Sequence, residues 1–461
     1  MKKATLFVFF CALSLPGFSQ SLGYEDLALL FSKDNNTGTA RFNAMSEAFG
    51  ALGGDLSAIK INPAGASVFK NSLFSASLNS KNTETTSTYY GNNSTTQEEN
   101  FDFSQAGAVF VYKAYSNSDW SKFAISFNYS VRNNYNSSVL SSGNSGFSTF
   151  TEFPLDIGNP KTEYTNADSQ NFSNTTSGKL REYNFAFSGV YQNNLHLGVA
   201  VNTYDLKFSQ RSILREQNND GSGNVLNAKF YQENSTIGAG FSLSAGAIYK
   251  ATKSLRLGFS YQSPTWFTEV NEENNIINND GFFGDTEIQV TGSNTIYDNT
   301  AGNNFPVQGF SYKLKTPAKT TASIAYIFGS NGLISADYTI NGYKKIKLSN
   351  GDFNTENQFF NTELRNSYTL NIGSEWRFNA LSLRGGYHYE QSPDANAIES
   401  DNTKGYSFGA GYNFGNTKLG FSYQNKTNSQ QYDFYPQYNQ VNATELNIDN
   451  RVITATLTIN L

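Results

Sequence analysis

From residue 72 to residue 461 the strand-like runs of this chain are joined by connections that alternate, short then long. The runs are read from period-two alternation. Phe123, Ile125, Phe127, Tyr129 and Val131 alternate with Lys122, Ala124, Ser126, Asn128, Ser130 and Arg132. Leu255, Leu257, Phe259 and Tyr261 alternate with Arg256, Gly258, Ser260 and Gln262, and Ile334, Ala336, Tyr338 and Ile340 with Ser335, Asp337 and Thr339. One face of each run is apolar and aromatic, the other polar or small, as in a strand with different surroundings on its two sides.

This pattern predicts fourteen strands, near 72–80, 103–113, 121–132, 181–192, 195–208, 237–249, 255–263, 320–328, 333–341, 367–378, 381–390, 404–414, 417–427 and 450–461. Most have the roughly nine to eleven residues that a tilted strand needs to cross a bilayer. Short links fall at 114–120, Asn193-Asn194, 251–254, 329–332, Asn379-Ala380 and Gly415-Asn416. Long ones fall at 81–102, 133–180, 209–236, 264–319, 342–366, 391–403 and 428–449. Strict alternation predicts an all-β fold, a 14-stranded antiparallel transmembrane β-barrel over 72–461, with turns in the periplasm and loops outside. A secreted sandwich or propeller also alternates in period two, but its inner faces are apolar and it does not need every second connection long. The final run ends on Leu461, where outer-membrane barrels usually carry an aromatic residue.

Charged residues are 15% of the chain, and the net charge of −5 offers no basic field for nucleic acid. A mean hydropathy of −0.48 fits a barrel, because only alternate residues meet lipid. The Asn/Ser/Thr-rich stretches 81–99 and 133–177 read as long or poorly ordered loops.

Residues 1–19 read as a signal peptide: Lys2 and Lys3, an apolar run over 4–15, then Gly17-Phe18-Ser19, with cleavage expected near Ser19/Gln20. The run is too short for a membrane helix. Cys11 lies inside it, after Phe10, which does not fit a lipidation site; its removal leaves no cysteine for disulfides or thiolate ligands. The expected location is the outer membrane of a Gram-negative bacterium, with outer-membrane lipids and the barrel-assembly machinery as partners.

Residues 20–71 do not alternate. Tyr24, Leu27, Ala28 and Phe31 predict one amphipathic helix; Phe42, Met45, Phe49 and Leu52 predict another, stopped by Gly53-Gly54. Asn62-Pro63-Ala64-Gly65 reads as a turn that the Asn62 side chain can close. The apolar faces favour burial in the lumen, as a periplasmic-side hatch.

Gly38-Thr39-Ala40-Arg41, the run from Ala48 through Gly53-Gly54-Asp55 to Ala58, and Asn62-Pro63-Ala64 resemble the hatch of the FadL-like outer-membrane transporters, most of all their Bacteroidetes branch. Leu314-Lys315-Thr316-Pro317-Ala318-Lys319 is a second similarity, while Ser46-Glu47 stands where a small or glycine pair is expected. The resemblance implies a fourteen-stranded barrel gated by a hatch at Gly53, Gly54, Asn62, Pro63 and Ala64. It also implies facilitated diffusion of long-chain fatty acids or similar lipophilic compounds through an apolar lumen pocket. Family members are thought to release cargo beside a kinked third strand, but residues 123–131 contain neither proline nor glycine.

Strand parity turns Lys122, Arg256, Arg377, Arg384 and Lys418 inward in the periplasmic half, near Glu47, Asp55, Asp337 and Glu375. These cations either clamp the hatch or, at Arg256, Arg384 and Arg377, receive a fatty-acid carboxylate. Trp266, Phe267, Phe282 and Phe283 are expected as a capture groove or as girdle aromatics.

An enzyme is not expected. His196 and His388 are the two histidines, no motif sets a nucleophile beside them, and two isolated histidines do not make a metal site. The Asp220-to-Asn224 loop lacks the terminal carboxylate of a calcium loop, and Gly409-Ala410-Gly411 lies within a strand. No cofactor is expected. A general porin and a surface-exposed interaction or adhesion barrel are the competing readings.

Overall fold

The computed structural model describes residues 22–35, 37–114, 118–150, 160, 162–278, 287–289, 296–298, 307–436 and 438–461. The expected signal peptide, Phe282 and Phe283 lie outside the described residues.

Fourteen strands form the wall among these residues: β1 (Leu73–Tyr89), β2 (Asn92–Lys113), β3 (Trp120–Asn134), β4 (Asn166–Tyr191), β5 (Leu195–Asn219), β6 (Val225–Lys250) and β7 (Leu255–Gln262), then β8 (Lys319–Phe328), β9 (Gly332–Asn341), β10 (Ser367–Phe378), β11 (Leu381–Glu390), β12 (Thr403–Asn413), β13 (Thr417–Tyr432) and β14 (Thr444–Asn460). Each pairs antiparallel with the next. The ring closes through β1 and β14, from Leu73 opposite Asn460 to Thr88 opposite Glu445. Closure leaves no sheet edge in lipid, where an unpaired amide has no water to bond.

Outward positions carry the apolar belt: Phe185, Phe187, Val199, Val201, Leu257, Phe259, Ile334 and Ile453 are all exposed. Inward positions such as Ser126, Asn128, Asn202, Ser260, Asp337 and Thr454 are buried. That is the polarity expected of a lipid-facing barrel with a filled lumen.

The long connections differ from expectation. Residues 81–102, read as a loop, are strand up to a tip at Tyr90-Gly91, and 209–236 are strand except around Asp220–Asn224. Burial alternates without interruption through all 25 residues of β5. Above the belt the outward positions turn largely polar, as at Arg211 and Arg215, and the inward ones mix Leu214 with Ser212 and Glu216, so the regular apolar–polar alternation fades although the ladder continues. Strand Trp266–Asn278 continues β7 after Ser263-Pro264-Thr265, and Gln308–Lys315 leads into β8. Lys347–Ser349 pairs with the latter, and helix α3 (Asn354–Thr362) packs nearby.

Within the lumen lie α1 (Tyr24–Ser32), as predicted, and α2 (Ala40–Ala44), much shorter than predicted. α2 ends because Ser46 and Glu47 take φ of +46° and +70°, the left-handed region that favours glycine. Phe42, Met45, Phe49 and Leu52 are nevertheless all buried. Asn62 caps a 3-10 turn over Pro63–Val68, its side chain accepting from the Ala64 amide.

Candidate functional site

Beside the short turns, the hatch meets the wall backbone to backbone. Asn62 Nδ2 donates to the Gly50 carbonyl at 2.8 Å and to the Ala247 carbonyl at 3.0 Å. Gly246 and Gly198 make this approach possible: a Cβ would come within 2.1 Å of Asn62 Oδ1 or 2.4 Å of the Ala64 amide. Asp337 receives the amides of Phe49 and Gly50 at 2.9 and 2.8 Å.

The inward cations sit where parity put them. Arg384 Nε and Arg377 Nη2 meet Glu375 at 2.8 and 2.6 Å, and Arg41 of α2 joins the same carboxylate at 2.6 Å. Arg256 donates to the Leu52 carbonyl at 3.0 Å, Lys122 to the Phe69 carbonyl at 2.7 Å, and Lys426 pairs with Glu47 at 2.8 Å. Gly53 and Gly54 take positive φ beside Gly65 and Val68.

The outer half of the lumen is different. Leu206, Phe208, Phe267, Tyr312, Leu314 and Leu348 belong to an apolar chamber, and α1 fills it with Leu27, Ala28 and Phe31. Phe31 packs edge-on against Tyr135 and Phe208, with ring centroids 5.7 and 5.5 Å away. Tyr24 packs in the same way against Tyr312 and Phe353. Above the chamber a second cluster, with Phe172 stacked on Phe434 at 4.6 Å, caps the mouth.

The chamber floor is charged. After α1 the chain runs along the outer end of β3: the Asn35 amide donates to Asn133 Oδ1 at 2.7 Å, and Asn133 Nδ2 donates to the Lys33 carbonyl at 2.7 Å. There Asp34 takes two contacts from Arg132, one of them 2.7 Å from Nη2, and also pairs with Lys319. Arg132 is 5% exposed and spends its remaining fork on Glu182 at 2.8 Å and Tyr204 at 3.2 Å. Below lies a polar cavity of about 70 Å³ lined by Asp34, Glu47, Lys60, Arg132, Lys319 and His388, among others. A cavity of that size holds several waters. Arg132 and Lys319, the two cations that Asp34 holds at the base of the apolar chamber, suit a molecule with a long apolar body and an anionic head that takes the place of Asp34.

Two carboxylates, Glu272 beside α1 and Asp26 within it, lie outside the membrane-spanning strands. Burial pushes Glu272 up to about 7, with no cation compensating. Asp26 rises to about 6, by burial first and then by Glu25.

The sequence reading did not single out Asp34, Arg132 or Lys319. Arg132 closes the inward face of the β3 run and Lys319 ends the second family-like motif, so both had a signal. Of the expected capture aromatics, Phe267 is buried in the chamber, whereas Trp266 packs on Phe241 at 5.3 Å. Although residues 123–131 are regular, the β2–β3 ladder stops at Gln105 opposite Ser130, and the register of β3 shifts between Val131 and Asn133. Side chains bridge the resulting seam, with Asn134 Nδ2 2.6 Å from Asp102 Oδ2.

His388 bonds Asn371 at 2.7 Å and His196 bonds Ser67 at 2.8 Å. Both histidines are buried; His388 Nε2 lies 3.7 Å from Glu390 Oε2, His196 Nε2 has no hydrogen-bond partner among the described residues, and Ser67 is fully buried. Among the described residues, no cluster of three His, Cys, Asp or Glu has metal-binding spacing.

No protein-family model and no curated protein sequence matches the chain. Solved structures do. A FadL homologue of Pseudomonas aeruginosa aligns over 93% of this chain and 99% of its own, with a TM-score of 0.61 at 15% identity. The CymD monoaromatic hydrocarbon channel aligns over 92% and 97%, with a TM-score of 0.54 at 13% identity. The toluene transporter TodX of Pseudomonas putida aligns over 93% and 100%, with a TM-score of 0.51 at 14% identity. The chain has the FadL-type fold, a closed fourteen-stranded barrel with its N-terminal segment in the lumen.

Proposed function

We propose that this protein carries hydrophobic small molecules across the outer membrane by facilitated diffusion, and that its cargo is a long-chain carboxylate. One observation carries the reading: α1 and Asp34 together have the shape and charge of such a cargo, an apolar body in the chamber and a carboxylate on Arg132 and Lys319. Cargo takes the place of this segment, the hatch (residues 20–71) shifts, and the gradient drives exit. Asn62, Pro63, Ala64, Gly53 and Gly54 are the gate contacts. The exit route passes Arg377, Arg256 and Arg384; Arg256 bonds the hatch at Leu52, Arg384 shares Glu375 with Arg41, and these two offer a second cationic station for the head.

Magnitudes favour a long chain over a small aromatic. Fully burying a side chain such as Leu27 or Phe31 contributes roughly 1.5–3 kcal/mol, so α1 with its partly buried neighbours contributes on the order of 10 kcal/mol. At about 0.8 kcal/mol per methylene, an acyl chain of about 16 carbons offsets that, and a molecule of about seven carbons does not.

The test is binding of a long-chain fatty acid, its uncharged hydrocarbon and toluene to the purified full chain in detergent. Arg132→Gln and Lys319→Gln should weaken the acid roughly ten- to a hundredfold and spare the hydrocarbon. Toluene binding more tightly than the acid would move the protein to the aromatic-hydrocarbon class.

A further inference from the structure

On the outer wall, directly above the belt, five lysines gather within 35 residues of sequence: Lys313, Lys315, Lys344, Lys345 and Lys347. In a chain with 38 acids against 33 lysines and arginines, this local excess is not a consequence of composition. Register fixes the direction of three of them. Leu314 and Leu348 face each other inside the chamber, so Lys315 and Lys347, paired directly across the ladder, both project outward, as does Lys313 opposite Ser349. Lys344 and Lys345 are exposed on the adjoining 3-10 turn. Among the described residues no acid lies within ion-pair distance of any of the five. Glu269 and Glu273 on strand Trp266–Asn278 bound the patch on one side.

Like charges directly opposite on a ladder destabilise it, so Lys315 and Lys347 imply a counter-charge brought from outside. Height identifies its source. Lys315 lies opposite Trp266, and the exposed belt residues Tyr338 and Ile340 end four residues before Lys344. Tyr338 stacks on Tyr368 at 5.5 Å, which marks the girdle at the membrane surface. With the short turns in the periplasm, this girdle faces the outer leaflet, and the lysines stand at headgroup level. Clusters of lysines at that height bind anionic lipid heads, and lysine serves phosphate as a compact point charge.

We propose that the Lys313–Lys315–Lys347 face, flanked by Lys344 and Lys345, is a docking site for the phosphorylated headgroup of an outer-leaflet glycolipid. The lipid stands alongside the barrel with its acyl chains on the belt, and it supplies the charge that the paired lysines lack. The site lies outside the lumen and does not depend on the cargo.

The test uses the full chain in neutral detergent, with bisphosphorylated lipid A as probe and native mass spectrometry as readout. The triple variant K313Q/K315Q/K347Q should bind it roughly a hundredfold more weakly, and enzymatically dephosphorylated lipid A should bind the wild type comparably weakly. Excess inorganic phosphate should not displace the lipid, because the acyl contacts on the belt are lost to a free ion. Heat-dependent migration on gels checks that the variant is folded. Should it fail to fold, the salt dependence of wild-type binding takes its place, and the site requires affinity to fall steeply as salt rises. Unchanged affinity in the folded variant, equal binding of the phosphate-free lipid, displacement by phosphate, or indifference to salt would each overturn the proposal.

Discussion

Asp34 Oδ2 lies 2.7 Å from Arg132 Nη2, and a second contact from Nε makes the pair bidentate. It ties the residues after α1 to β3 at the point where the β3 register shifts. Glu182 remains on Arg132 if Asp34 loses its charge, so the wall tolerates the change. Asp34→Asn should therefore insert normally and bind fatty acid about tenfold more tightly, since the cargo head no longer competes with a carboxylate. Titration with a fluorescent fatty acid reads this, and weaker binding would count against Asp34 as a stand-in for cargo.

Docking of α1 should depend on pH through Glu272. Its carboxyl is ordinarily near 4.5 and is raised to about 7 by burial in the docked state. Below about 4.5 the group is neutral whether α1 is docked or free, and the packing has its full strength. Between 4.5 and 7 the exposed form releases its proton first, so docking weakens by up to about 1.4 kcal/mol per unit, and above 7 the loss is complete. Hydrogen exchange in residues 22–35, corrected for intrinsic rates, should speed up from pH 5 to 8, and Glu272→Gln should flatten most of that trend.

The hatch contact at Asn62 predicts a leak. Asn62→Ala removes the donor shared by the Gly50 and Ala247 carbonyls, which lie 2.8 and 3.0 Å away. Ala247 keeps its ladder pairing, but the buried Gly50 carbonyl loses its side-chain donor, which costs about 1–3 kcal/mol. Planar bilayers should record brief ion-conducting openings in this variant and a silent wild type. A silent variant would mean that Asn62 does not gate the lumen.

Arg384→Gln and Arg256→Gln separate the exit station from a simple clamp. As a station, each substitution lowers fatty-acid flux into liposomes roughly tenfold while leaving an uncharged hydrocarbon of similar length unchanged. Equal losses for both cargoes would leave these arginines as hatch clamps only. Arg377, with its side chain 42% exposed beside Glu375, should matter little in either case.

The periodicity of the chain determined the barrel. Wherever a strand meets lipid on one face and the packed lumen on the other, alternation is forced residue by residue, and all fourteen strands were legible with their order and their short turns. The inward turn of Arg384, Arg377 and Arg256 followed from the same parity. Tertiary structure decided what parity cannot carry. Above the belt the outward faces of β5 and β6 turn largely polar and the inward faces mix Leu214, Leu226 and Phe230 with Ser212, Glu216 and Asn234, so strand and loop look alike in sequence, and pairing with neighbours extends them. α2 stops at Ser46-Glu47 because Gly373 and Gly386 of the wall bring β10 and β11 against Met45 and Ser46, a constraint some 330 residues away in the chain. The Asp34–Arg132 pair is likewise a meeting of distant segments. Whether the helix-like run at Tyr24–Phe31 lay in the periplasm or rose into the outer chamber depended on the cavity shaped by Leu206, Phe208, Tyr312 and Leu314, and that volume exists only once the ring has closed.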